Sequence, residues 1–344
     1  MKASGMRGIS RVDRLSARMG YLMNARIRRL TAALAITGLA LATVSACGSG
    51  SSGATASVAV PATPFGASAP PAGQAASGGT CNVNAASVSP STTVADQSHV
   101  NAIKKRGYLI VGVAADQYLT GYLAPGDVEE GFDIDLAHAL AQSLFGNANA
   151  VHFVVVSTDA RIPDLQHHTV DLVIDTMTIT CDRLTMVDFS SVYYEAQQRL
   201  LVTKGSGYTS LAGLGGKSVC AQTGSTSIAE IQNADANPKP RAVEVTDITD
   251  CLALLEENQV SAVSTDDTIL AGLAQQDSNL EVVGPSLAAE PYGVAMPLGE
   301  TDLEAYVNGV LAQYEADGGW TASYDHWFEP SLGAGSPPRA QYSD

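Results

Sequence analysis

Short apolar runs rich in β-branched residues alternate twice over with amphipathic helical segments, and this order constrains the fold more tightly than any other feature of the 344-residue chain. Tyr108–Val113 reads as a strand, Phe132–Leu144 as a helix with apolar residues at helical spacing, and Val151–Val156 as a second strand. A short helix at Arg161–His168 and a strand at Asp171–Ile174 follow. Strand, helix, strand, helix, strand predicts a parallel sheet joined by right-handed crossovers. The order then repeats. Gln198–Thr203 and Ser218–Ala221 read as strands around a short helix at Leu211–Leu214. Strand Ala242–Val245 precedes helix Asp247–Glu257, and strand Ala262–Ser264 precedes helix Asp267–Gln275. Leu280–Val283 adds a further strand, Tyr292–Pro297 reads as a long strand running back to the first half, and helices Asp302–Ala316 and Trp320–Trp327 close the pattern. Two doubly wound halves with an excursion and a return form a hinged cleft, and ligands of open α/β sheets bind at the carboxyl ends of the strands.

The residues before this pattern have another character. Arg26, Arg28 and Arg29 precede an apolar run from Leu30 to Ala46 that is short for a membrane span, and the run ends in Val44-Ser45-Ala46-Cys47. Residues 1–46 therefore read as an export signal, with Cys47 as the lipidated first residue of the mature chain. From Cys47 to about residue 99, Gly, Ser, Ala, Pro and Thr dominate, a composition that buries too little surface to offset ordering entropy, so a flexible tether is expected. The first 46 residues hold eight of the 19 basic residues and one of the 35 acidic ones, so the remainder carries 11 and 34, a formal charge of −23. A surface this acidic argues against binding nucleic acid. It also makes each internal arginine informative.

Without Cys47, four cysteines remain: Cys81, Cys181, Cys220 and Cys251. An even count in an exported chain implies two disulfides, and the count alone leaves three connectivities open. Cys220 and Cys251 fall on a strand and a helix of the same half, so they are expected to pair locally. Cys81 would then clamp the end of the tether to Cys181. No CxxC pair or His/Cys cluster at ligand spacing exists, so neither a metal nor another cofactor is expected. His138, His152, His167, His168 and His326 have no catalytic partner in reach of the pattern, and no Ser-His-Asp or Cys-His arrangement is legible.

Seven segments, in order, carry a resemblance: EGFDIDLAHALA, ARIPDLQHHTVDLVIDTMTITCDR, VDFSSVYYEAQQRLLVTKGS, VCAQTGSTS, AVSTDDTILAGL, EPYGVAMP and the terminal YDHWF. Together they resemble the extracellular solute-binding proteins of family 3, the polar amino-acid receptors of ABC importers. The resemblance covers about Asn101 to Phe328 and implies a type II periplasmic-binding-protein fold, two doubly wound α/β lobes joined by a hinge. Residues 100–197 and 298–330 would form the first lobe, 198–297 the second and 331–344 a tail.

The resemblance also implies a site, and chemistry explains its residues. A free amino acid carries a carboxylate and an ammonium, and burying either requires an opposite charge with added hydrogen bonds. Arg183, in TMTITCDR, matches the arginine that forks onto the α-carboxylate, a geometry a guanidinium suits. Backbone amides of Thr178 and of the Ser225–Thr226 turn in QTGSTS would add donors. Asp266 would take the ammonium with the Thr176 carbonyl and the Thr178 hydroxyl, while Asp267 reads as the N-cap of the next helix. Arg161, in ARIP, matches acidic amino-acid receptors, in which an arginine reaches the ligand's side-chain carboxylate, with Thr158 assisting. The first loop, ADQYLTGY, departs from the family by lacking its Pro-aromatic pair, which leaves Tyr118 or Tyr122 as the stacking residue. The expected function is thus a lipid-anchored receptor of an ABC permease on the outer face of the cell membrane. It would prefer glutamate or aspartate, with glutamine and asparagine as further ligands. Two rivals share the fold: a cyclic dehydratase, which would need a general acid in the cleft, and a sensor domain that uses the same site to signal to a membrane partner.

Overall fold

The computed structural model describes residues 81–343. The export signal, Cys47 and most of the expected tether lie outside the described residues.

The first sheet has the order Val151–Val155, Leu109–Val113, Leu172–Val173, Ala295–Pro297, Val187–Phe189. Its first three strands are parallel, as expected, and the returning strand Ala295–Pro297 pairs antiparallel with both neighbours. Leu109, Val111 and Val113 are buried because helices cover both faces, which is why a parallel strand reads as a continuous apolar run. Helix Phe132–Phe145 packs here through Ile134, Leu136, Ala137, Leu140 and Ala141, a stripe at helical spacing. Gly131 begins this helix at φ 136°, and a Cβ there would stand 2.2 Å from the Thr120 carbonyl oxygen, so only glycine fits. The helix start also meets the chain's last aromatic segment: the Phe132 and Phe328 rings lie 4.8 Å apart, and Asp135 accepts hydrogen bonds from Ser323 and Trp327.

The second sheet has the order Arg241–Val245, Ser218–Gln222, Ala262–Asp266, Tyr194–Thr203, Leu280–Tyr292. Three parallel strands are flanked by two long antiparallel ones, which are paired from Tyr194–Tyr292 at one end to Thr203–Leu280 at the other. These long strands are the hinge. The second sheet runs from Tyr194 to Tyr292, and Tyr194, Ala196 and Tyr292 at its hinge end pack in the core cluster of the first lobe. A third, small sheet of Asp116–Gln117, Gly121–Ala124 and Val128–Glu130 escaped the sequence reading. Its strands are two to four residues long and carry polar residues, so neither periodicity nor a hydrophobic run marks them.

Both disulfides join the expected partners, Cys81 to Cys181 and Cys220 to Cys251. The tether expectation needs correction at its end, because residues 81–98 pack on the first lobe. The Ser87 hydroxyl and the Val88 N–H both donate to the Glu304 carboxylate, and Asn308 donates to Ser87 Oγ and the Val88 carbonyl. This segment, poor in large apolar residues, is held by hydrogen bonds to helix Thr301–Ala316, by the Cys81–Cys181 bond and by Val83 and Val94 packed against the apolar core. The C-terminal tail joins it, with the Ser343 N–H donating to the Ser87 carbonyl.

Candidate functional site

The carboxyl ends of the parallel strands face each other across the hinge, as the switch-point rule requires. Thr158 follows strand Val151–Val155, Asp175 and Thr176 follow Leu172–Val173, Gln222 ends its strand, and Asp266 ends Ala262–Asp266. Between the lobes lies a cavity of about 20 Å³. Of the residues singled out in the sequence, Thr158, Arg161, Thr176, Thr178, Arg183, Ser225, Thr226 and Asp266 all line it.

Each has a definite setting. Arg183 stands in a single 3₁₀ turn at Arg183–Thr185 and donates from Nη1 to the Thr178 carbonyl at 2.7 Å. Its Nη2 reaches the second lobe, donating to the Gly224 carbonyl at 3.2 Å. Gly224 has φ 79°, and a Cβ on it would meet Asp159 of the first lobe at 2.9 Å, so the lobes touch here backbone to backbone. Burial and the charge of Arg161 lower the Arg183 pKa to about 10, which leaves it cationic at neutral pH. Arg161 is buried as well. Its Nε donates to the Thr158 carbonyl at 2.9 Å and its Nη1 to the Asp175 carbonyl at 2.8 Å.

On the opposite wall, Asp266 accepts a hydrogen bond from the Tyr292 hydroxyl at 2.7 Å, and burial, with Glu290 nearby, pushes its pKa well up. A buried carboxyl held in this way favours a cationic partner. The assignment of Asp267 as the N-cap needs adjusting. The helix starts at Asp267, so Asp266 occupies the cap position while its side chain turns into the cavity. Asp267 serves the backbone instead, accepting from the N–H groups of Thr268 and Gln197. Ser225 Oγ is buried and makes no hydrogen bond within the described residues.

Thr176 adopts φ 45°, a left-handed conformation that is costly for a β-branched residue and concentrates at functional sites. Its N–H donates to Asp133 Oδ2 at 2.8 Å and its hydroxyl to Gln117 Oε1 at 3.1 Å. Asp133 also takes the Tyr193 hydroxyl at 2.8 Å, and burial raises its pKa to about 6. The EGFDIDL segment thus reaches the site indirectly, by pinning the strained loop that carries Thr176.

Three features differ from the sequence expectation. Tyr118 does not line the cavity. It packs edge-on against Tyr122, and Gln117 takes the inward place on that short strand. Side chains alternate across a strand, so a one-residue offset exchanges the two. Glu290, on the returning hinge strand, was missed: its Oε2 accepts from the Thr178 hydroxyl at 2.5 Å and the Thr226 hydroxyl at 3.0 Å, one from each lobe. Asp175 was also missed. It is 1% exposed, and its Oδ2 lies 3.8 Å from Arg161 Nη1 without a hydrogen-bond donor. The only sequence signal for either was a carboxylate inside an apolar strand environment, which must be paired or neutral.

Two α/β lobes of the type II periplasmic-binding-protein kind, closing on a polar cavity with charges of both signs, define a solute receptor. The family description "Bacterial extracellular solute-binding proteins, family 3" matches residues 109–330, and the chain belongs to that family. It is 37% identical over 230 residues to the ABC transporter glutamine-binding protein GlnH of Bacillus subtilis, covering 66% of this chain and 84% of that protein. It is 25% identical over 251 residues to the glutamate/aspartate import solute-binding protein of Salmonella typhimurium, covering 70% and 82%. Among solved structures, the L-cysteine solute receptor of Neisseria gonorrhoeae superposes with a TM-score of 0.65 at 28% identity, covering 68% of this chain and 95% of that one. The chain is accordingly an extracytoplasmic solute-binding protein and not an enzyme, which sets aside the dehydratase reading.

Proposed function

We propose that this protein is the lipid-anchored receptor of an ABC importer for small polar amino acids whose side chain ends in a carboxylate or a carboxamide: glutamate, aspartate, glutamine and asparagine. One observation carries the reading. A guanidinium from the first lobe, Arg183, and a carboxyl group from the second, Asp266, line one cavity. An α-amino acid bridges such a pair, its carboxylate on Arg183 and its ammonium on Asp266, so both charges are paired as they leave water. Contacts from both lobes then favour the closed form by their differential affinity, and a membrane partner distinguishes closed from open.

Arg161 supports the side-chain class, because its fixed guanidinium can donate to a carboxylate and also to an amide oxygen. Relatives named for glutamine and for glutamate and aspartate are consistent with that range. Arg161 on its own would favour the acids. With Asp175 beside it, the choice between acid and amide rests on the pair. Anchoring through Cys47 rests on the sequence around it. The test is thermal unfolding of the protein with each of the twenty amino acids. These four should raise the melting temperature, and stabilisation by none of them would refute the reading.

A further inference from the structure

The pair of Arg161 and Asp175 has a property that the ligand's α-groups do not share. Arg161 spends Nε and Nη1 on the carbonyls of Thr158 and Asp175, so its fork is fixed in one orientation. Asp175 lies behind it, fully buried, with Oδ1 accepting from Gln117 Nε2 at 3.3 Å and Oδ2 3.8 Å from Arg161 Nη1. That Oδ2 has no donor. Asp175 does not line the main cavity itself but a neighbouring one of about 310 Å³, which shares Gln117, Thr158 and Gln222 with it. Asp175 Oδ2 is thus a buried carboxylate oxygen without a hydrogen-bond partner among the described residues, and the local cation already has a carboxylate within reach.

We propose that Asp175 sets the charge of the side chain that the cleft accepts: its carboxyl group balances Arg161, so the site takes a neutral carboxamide when Asp175 is ionised and a carboxylate when Asp175 is protonated. The inference rests on the reading of the ligand as a small acid or its amide. A ligand carboxylate on Arg161 would put two buried carboxylates around one guanidinium, and like charges in one site force one of them to take a proton. An amide adds no charge, so the pair can remain ionised. Binding of the acid is therefore linked to uptake of one proton more than binding of the amide.

The groups facing Asp175 decide where this linkage falls. Arg161 and Arg183 hold its pKa down, while Asp133 and Asp116 push it up. Asp133 is committed to Thr176 and Tyr193, and Asp116 to Thr249 on the second lobe. Burial exceeds all of these and brings Asp175 to about 7. The preference should therefore change across the neutral range, with amides favoured above it and acids gaining below. Asp266 and Glu290 also titrate, but they face the α-groups common to all four ligands, so their effect cancels in a ratio of affinities.

The experiment is calorimetric titration with glutamate and glutamine, and with aspartate and asparagine, from pH 5.5 to 8.5. For wild type, the acid-to-amide ratio of dissociation constants should fall at least tenfold from pH 8.5 to 6, since one linked proton changes affinity tenfold per unit above the pKa. Titrations in buffers of different ionisation enthalpy should report close to one more proton taken up per acid than per amide at pH 8. Asp175→Asn should bind the acids better than the amides, with a ratio independent of pH. A pH-independent ratio in wild type, or the same pH course in Asp175→Asn, would overturn the proposal. The proton count needs no variant, so it decides even where Asp175→Asn does not fold. Absence of binding by all four ligands would instead refute the functional reading itself.

Discussion

At the scale of single residues, burial of charge organises this molecule, and not only in the cleft. Glu315 stands in the last turn of helix Thr301–Ala316, the end where the helix dipole disfavours an anion, and burial pushes its carboxyl up to about 7. A carboxyl whose folded pKa is raised contributes stability below its ordinary value of 4.5 and loses it as pH rises through 7. Glu315→Gln should therefore match wild type in melting temperature near pH 4.5 and exceed it by a few degrees at pH 8. An equal gap at both pH values would show that Glu315 is ionised without cost. Of the residues that the sequence placed in the cleft, three stood out by chemical type in a sparse background, two arginines among few and an aspartate at a strand end, while the Ser and Thr residues followed only from the segments that carry the resemblance. Asp175 and Glu290 were not legible because their partners, Arg161 in one case and Thr178 and Thr226 in the other, come from elsewhere in the chain. Gln117 was hidden by register, since nothing in ADQYLTGY says which of two adjacent residues turns inward.

At the scale of elements, one helix depends on the other lobe for its first turn. Helix Ile248–Glu256 has Asp247 at its N-cap, but that side chain makes no capping bond. The acceptor is Asp116 of the first lobe, which takes both the N–H and the hydroxyl of Thr249 across the cleft, at 3.1 and 3.3 Å. A helix N-terminus lacking its own cap is thus satisfied when the lobes close. Asp116→Ala should remove about 1 kcal/mol from the closed form, the usual worth of a cap. Affinity for the amides should fall about fivefold, and for the acids somewhat further because Asp116 also helps keep Asp175 protonated, and small-angle scattering should show the ligand-free protein shifted toward a larger radius. Unchanged affinity and radius would mean that the contact accompanies closure without favouring it. The strands and helices of both large sheets were legible because burial on two faces imposes continuous apolar runs and burial on one imposes helical spacing. The small sheet of Asp116–Gln117, Gly121–Ala124 and Val128–Glu130 obeys neither pattern, and it carries this clasp.

At the scale of the whole molecule, the folded receptor reaches further toward the N-terminus than composition suggests. Residues 81–98 belong with the receptor, fastened by Cys81–Cys181 and by Glu304 and Asn308. Cys47→Ser should release the protein from cells into the medium with its ligand affinity unchanged, and continued membrane association would count against lipidation at Cys47. The central claim is that one amino acid bridges Arg183 and Asp266 between the lobes, and calorimetry on wild type and Arg183→Ala tests it most directly. Wild type should bind one equivalent of glutamate, glutamine, aspartate or asparagine. The variant should lose affinity for all of them together by tens-fold or more, because losing one partner of a buried charge pair costs about 2–5 kcal/mol. Undiminished binding by Arg183→Ala, or a loss confined to the acids, would contradict the account.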